Sequence, residues 1–130
     1  MKHTTGGCLC GKIRFRTKGD PYRVGLCHCL DCRKHHGALF HASAVFPDHA
    51  VEVDGETRSF QGRHFCADCG SSVFSQTEDE IEVHLGAFDA PDQFAPTYEL
   101  WTIRREEWLP TLPVKHHYER DRTSDSRYED

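Results

Sequence analysis

Seven cysteines gathered into three short clusters constrain this 130-residue chain more than any other feature of its sequence. They occur as Cys8-Leu9-Cys10, Cys27-His28-Cys29-Leu30-Asp31-Cys32 and Cys66-Ala67-Asp68-Cys69, and none lies outside a cluster. An odd number leaves one thiol over from any complete disulfide framework, and paired spacings of this kind suit a tetrahedral metal ion. Around zinc, with Zn–S bonds of about 2.3 Å, thiolate sulfurs lie roughly 3.8 Å apart, which C-x-C and C-x-x-C turns can supply. In an extended C-x-C, residues i and i+2 share a face and reach one ion together. Gly6, Gly7, Gly11 and Gly70 flank the cysteines where the backbone must turn tightly.

The arrangement of two, three and two ligands is divided most simply by joining the two pairs around one ion. Cys8, Cys10, Cys66 and Cys69 then close a structural four-thiolate site. Cys27, Cys29 and Cys32 hold a second ion and leave its fourth position to water or substrate, the usual pattern of catalytic zinc. A histidine closing that position would make both sites purely structural, and His35, His36 and His64 are the candidates. His28 stands between two ligands, so its ring points away from the ion in an extended segment. Dithiol redox chemistry at Cys66 and Cys69 is the weaker alternative, because it expects a βαβ setting and leaves five cysteines unexplained.

The rest of the chain reads as mainly β with one short helix. Alternation of apolar and charged residues predicts strands over 12–16, 50–53 and 80–85, with others over 39–46, 58–61, 72–74 and 98–103. A helix is expected from Leu30 to His36, with Asp31 in its first turn and Gly37 as a left-handed C-terminal cap. A hydrophobic share of 37% makes a thin core, which metal binding would reinforce. Residues 1–113 read as a single zinc-binding domain. Residues 114–130, rich in alternating charge and nearly free of aliphatics, read as a loosely ordered charged tail.

No secretory h-region or membrane-spanning apolar run is visible, so a reducing, cytoplasmic location is expected, where cysteines bind metal more often than they pair. A formal net charge of -5 argues against nucleic acid as a partner. Arg33, Lys34, His35 and His36 follow the three-cysteine cluster and offer cations to an anionic substrate, although such runs are more often a solvated helix face. Asp89 and Trp101 read as a loop-capping residue and a core aromatic.

These residues together resemble the glutathione-dependent formaldehyde-activating family, which includes proteins like centromere protein V and is known by its GFA domain. The resemblance is carried by Gly7-Cys8-Leu9-Cys10-Gly11 with Ile13-Arg14-Phe15, by Cys27-His28-Cys29-Leu30-Asp31-Cys32-Arg33-Lys34 with Gly37 and Phe40, and by Phe65-Cys66-Ala67-Asp68-Cys69-Gly70. Gly86-Ala87-Phe88-Asp89, Pro96, Trp101 and Trp108 extend it, so that it covers residues 5 to about 110. It implies an Mss4-like zinc-binding fold, a structural zinc on Cys8, Cys10, Cys66 and Cys69, and a labile catalytic zinc on Cys27, Cys29 and Cys32. It also implies a carbon–sulfur lyase that forms S-(hydroxymethyl)glutathione, or the product of a related thiol and aldehyde. The rival from another class is a non-catalytic, zinc-stabilised module that binds a protein partner.

Overall fold

The computed structural model describes residues 2–130. Among the described residues, eleven strands, one α-helix and three short 3₁₀ turns follow one another. The chain forms β1 (His3–Gly7), β2 (Arg14–Lys18) and β3 (Arg23–Cys27), then α1 (Leu30–His36) and β4 (His41–Pro47). It continues through β5 (Val51–Asp54), β6 (Arg58–Phe60), β7 (Arg63–Phe65), β8 (Ser72–Gln76) and β9 (Glu80–His84). β10 (Tyr98–Leu100) and β11 (His116–His117) complete it.

Two sheets result. The smaller has the order β1-β2-β5, and the larger runs β11-β10-β3-β4-β9-β8-β7-β6. Ile13 and Phe15 from around β2 meet Ala44 and Phe46 of β4, Val73 and Phe74 of β8, and Ile81 and Val83 of β9 in one buried cluster. Phe88 closes against Phe15 edge-on, with ring centroids 5.3 Å apart. Alternation explains β2, whose exposed and buried residues strictly alternate so that Phe15 and Thr17 face inward.

The expected strands all contain β structure, with boundaries that move by a few residues. Ala50 and Leu85 lie in 3₁₀ turns rather than in β5 and β9, and the strand expected over 98–103 ends at Leu100 before a turn at Thr102–Arg104. β1, β3, β7 and β11 carry no clear alternating signal. β3 is Arg-Val-Gly-Leu-Cys and is buried from Val24 to Cys27, because it lies inside the larger sheet with β10 parallel on one side and β4 antiparallel on the other. Strands covered on both faces lose the period of two. The predicted helix is present over Leu30–His36, and Gly37 adopts φ 62° and ψ 35°, the left-handed cap that a side chain would resist.

The segment read as a loose tail instead follows the body of the protein. β11 pairs in parallel with β10, and the backbone amides of Trp101 and Thr102 donate to the carbonyls of Arg120 and Tyr118. Arg127 pairs with Asp79 and lies 5.3 Å over the Tyr22 ring, while Glu129 accepts from Arg122 and Tyr118. Apolar content was the wrong guide here, since these residues are ordered by hydrogen bonds and ion pairs to the sheet edge rather than by buried aliphatics.

Close packing between β3 and β10 gives a test. An added Cβ at Gly25 would lie 2.2 Å from the Tyr98 ring, which is itself 4% exposed. Gly25→Ala is therefore expected to cost about 1–3 kcal/mol through overpacking, read from urea unfolding of the metal-loaded protein.

Candidate metal centres

The first cysteine group joins the two sheets. Cys8 follows β1, Cys10 lies two residues on, and Cys66 and Cys69 occupy the turn between β7 and β8. Their sulfurs all lie within 4.8 Å of one another, with Cys8–Cys10 at 3.6 Å and Cys10–Cys66 at 3.7 Å. Those separations fit the edge of a thiolate tetrahedron around zinc. Two backbone turns shape the site: the Gly11 amide donates to the Cys8 carbonyl and the Gly70 amide to the Cys66 carbonyl. The Ile13 amide also donates to Cys8 Sγ at 3.2 Å. Cys8 and Cys66 belong to the hydrophobic core, whereas Cys10 is exposed.

The sulfurs compete electrostatically. Hydrogen bonds from the Ser71 hydroxyl and amide lower the Cys69 thiol to about 5. The Lys12 amide favours the Cys10 thiolate, but local desolvation and the neighbouring sulfurs outweigh it and push that thiol up to about 12. Four thiolates this close need a cation to ionise together, and the donor set therefore fits a divalent metal.

The second group is assembled where β3 runs into α1. Cys27 ends the strand, Cys29 is the helix N-cap and Cys32 lies in the first turn, with all three sulfurs within 4.8 Å of one another. The Cys32 amide donates to Cys29 Sγ at 3.2 Å, so the cap is also a candidate ligand. The adjacent Cys27 sulfur and burial push the Cys32 thiol upward, and burial followed by Cys32 does the same to Cys29. This crowding again fits a metal cation. Each cysteine group could hold a metal ion.

The histidines named as candidates to close the second group go elsewhere. His35 Nε2 is hydrogen-bonded to Ser72 Oγ at 2.8 Å, and His64 stacks on Phe74 with its Nδ1 bonded to the Thr57 hydroxyl. His36 joins His41 and His84 in a separate cluster. Arg33 pairs with Glu106 at 2.7 Å and donates to the Arg104 carbonyl, so it braces α1 on the 3₁₀ turn after β10. Asp89 accepts two hydrogen bonds from Arg14 and one from Thr5, which lower its carboxyl to about 2. Trp101 has φ 57° and donates from Nε1 to Asp121.

His28 and Glu99 were missed as a pair. His28 is fully buried, and its Nε2 lies 2.7 Å from Glu99 Oε1; the other carboxylate oxygen meets His117 Nδ1 of β11. The His28 amide donates to the Leu100 carbonyl at 3.0 Å. The cysteine loop is thereby pinned to β10 through backbone and side chain, and β10 in turn to the C-terminal segment. Seventy-one positions separate His28 from Glu99, so no local pattern announces the contact. Glu99→Ala leaves both histidines without this partner and is expected to cost about 1–3 kcal/mol for the buried His28 contact alone, measured by urea unfolding.

Between the two sheets' edges lies a cavity of about 760 Å³, bordered by Cys8, Cys10, His36, His41, His84 and Asp89 among others. It adjoins the four-cysteine group; Cys27, Cys29 and Cys32 do not line it, and His41, which does, stands opposite Cys27 in the β3–β4 pairing. No helix among the described residues is long and apolar enough to cross a membrane.

No curated protein matches the chain significantly. Residues 3–104 match the family model described as glutathione-dependent formaldehyde-activating enzyme, a span that takes in both cysteine groups and every strand but β11. That match, joined to a mainly β fold and two cysteine groups that could each hold a metal ion, shows that this chain belongs to the glutathione-dependent formaldehyde-activating family.

Proposed function

We propose that this protein is a zinc-dependent carbon–sulfur lyase that adds the thiol of glutathione to formaldehyde, giving S-(hydroxymethyl)glutathione, or catalyses a closely related thiol–carbonyl addition. In this reading Cys27, Cys29 and Cys32 hold a labile catalytic zinc, while Cys8, Cys10, Cys66 and Cys69 hold a structural one. The observation that carries it is the grouping of the three sulfurs with one another while His35 and His64 are hydrogen-bonded elsewhere and His36 groups with His41 and His84. That arrangement supports an ion with an exchangeable fourth ligand over a closed structural site.

A zinc held by Cys27, Cys29 and Cys32 would favour the thiolate, the nucleophilic form, of an incoming thiol. The chain's own contribution is to set the three sulfurs and keep them there. Cys29 is fixed by the Cys32 amide, and the loop between Cys27 and Cys29 is held by His28 on Glu99 and on the Leu100 carbonyl. Fixed donors of this kind lower the reorganisation needed during reaction. In the addition, the glutathione sulfur forms a bond to the carbonyl carbon. The carbonyl π electrons move to oxygen, which takes up a proton to become the hydroxyl of the product. Atoms and charge balance without a redox partner.

Four thiolates joining two sheets suit a structural role, since zinc binding of this type supplies roughly 10–16 kcal/mol of apparent free energy. Zinc analysis is expected to return one ion per chain fewer for Cys29→Ser than for the native protein, with the fold retained by circular dichroism. Incubation with glutathione followed by desalting is expected to remove metal from the three-cysteine group first. Equal retention of both ions would count against the exchangeable site. Turnover is read by ¹³C NMR of labelled formaldehyde with glutathione, after subtraction of the uncatalysed addition. Cys29→Ser is expected to bring the rate to that background, and a native rate no higher than background would remove formaldehyde and glutathione as the substrates.

A further inference from the structure

Three imidazoles that play no part in either cysteine group converge on the cavity. His36 comes from the last turn of α1, His41 from the first position of β4 and His84 from the last of β9. One nitrogen from each lies within 4.8 Å of the other two. His36 and His41 stack with an interplanar angle of 7° and centroids 4.7 Å apart, and His84 meets both edge-on at 4.6 and 5.4 Å.

Three histidines packed face and edge beside a thin core need a reason. His41 Nδ1 is buried and has no hydrogen-bond partner. A buried imidazole nitrogen without a partner, on a ring grouped with two further imidazoles, fits a donor set for an acceptor of lone pairs. His84 is 4% exposed, and its ring is bonded on both sides, by Ser72 at Nδ1 and Ser75 at Nε2. If one nitrogen binds a metal, the serine on the other remains as the outer partner that fixes the ring, as is usual for metal-bound histidine.

We propose that His36, His41 and His84 form a third metal site, distinct from both cysteine groups, that takes a divalent transition ion of the zinc type with its fourth position turned to the cavity. Neutral imidazole is a preferred ligand for such ions. All three rings are held neutral at physiological pH: burial pulls His36 down to about 4 and His41 to about 3, and places His84 well below the ordinary value. Each ring therefore offers a lone pair without first shedding a proton.

Zn–N bonds of about 2.0–2.1 Å bring nitrogens to roughly 3.4 Å from one another, so the rings must draw in slightly and turn out of their stack. His36 can do this because it is the last residue of α1, next to the left-handed Gly37. The charge differs from that of the three-cysteine group. Three neutral ligands leave the ion its full double positive charge, whereas three thiolates reverse it, so the histidine site favours oxygen donors such as water, a carbonyl or a carboxylate. His41 stands directly opposite Cys27 in the β3–β4 pairing, which puts the two kinds of site on adjacent strands.

The proposal is independent of the thiol–aldehyde chemistry, and its test reads metal binding without turnover. Protein carrying zinc on its cysteines is titrated with cobalt(II), and the visible ligand-field absorption is followed together with the near-ultraviolet sulfur-to-cobalt charge-transfer band. The expected result is saturable uptake of one cobalt per chain with ligand-field bands and no charge-transfer band. His36→Gln and His41→Phe are each expected to weaken that uptake by at least the roughly 10–100-fold that loss of an outer partner costs, with the zinc on the cysteines unchanged. His36 is half-buried on a helix end, so its replacement leaves the core in place even if His41→Phe disturbs β4. Absence of uptake, uptake by both variants as tight as that of the native protein, or a charge-transfer band growing in step with the ligand-field bands would overturn the proposal.

Discussion

The joint between the two sheets depends on the approach of Cys8 and Cys10 to Cys66 and Cys69. The first pair follows β1 of the smaller sheet and the second lies between β7 and β8 of the larger. Because Cys8 and Cys66 also sit in the hydrophobic cluster with Ile13, Val73 and Phe74, the metal-ready sulfurs and the core are one packing unit. Crowded sulfurs repel as thiolates and lose solvation as they are buried, so the same closeness that suits a cation disfavours the group without one. A thin core and a cation-dependent joint belong together in a chain of this size.

The second cysteine group is held by different means. Its three sulfurs come from one continuous stretch, Cys27 to Cys32, and need no distant element to meet. What distant elements supply is immobility. His28 on Glu99, Glu99 on His117 and the His28 amide on the Leu100 carbonyl tie that loop to β10 and to the C-terminal segment. A group that could hold a metal ion gains from such support, since positioning errors in the donors carry directly into the geometry of whatever binds. The family match over residues 3–104 stops before His117, so this outer contact lies in the part of the chain beyond the match.

Charge near the site is arranged for bracing rather than display. Arg33 spends its guanidinium on Glu106 and on a carbonyl, and Arg14 spends its own on Asp89. The histidines next to Arg33 turn inward, His35 to Ser72 and His36 to the cavity. The run Arg33-Lys34-His35-His36 is thus neither a simple solvated face nor a uniform cationic patch, a distinction that charge counting along a helix cannot draw.

Local spacing determined much by itself. The C-x-C and C-x-x-C intervals encode turns that bring neighbouring sulfurs together whatever the fold, so the three clusters were legible, and their pattern of two, three and two made joining Cys8 and Cys10 to Cys66 and Cys69 the simplest division. Alternation located most strands, and Gly37 marked the end of α1 because few residues tolerate its left-handed backbone. The tertiary structure alone decided the rest. β3 is hidden from periodicity by burial on both faces, and the C-terminal segment is ordered by polar contacts that apolar content does not report. His28 with Glu99, and His36 with His41 and His84, meet only because the sheet order sets strands far apart in sequence side by side. Sequence carries the ligands that neighbour one another along the chain, while pairing across a sheet depends on register and topology, which no short motif contains.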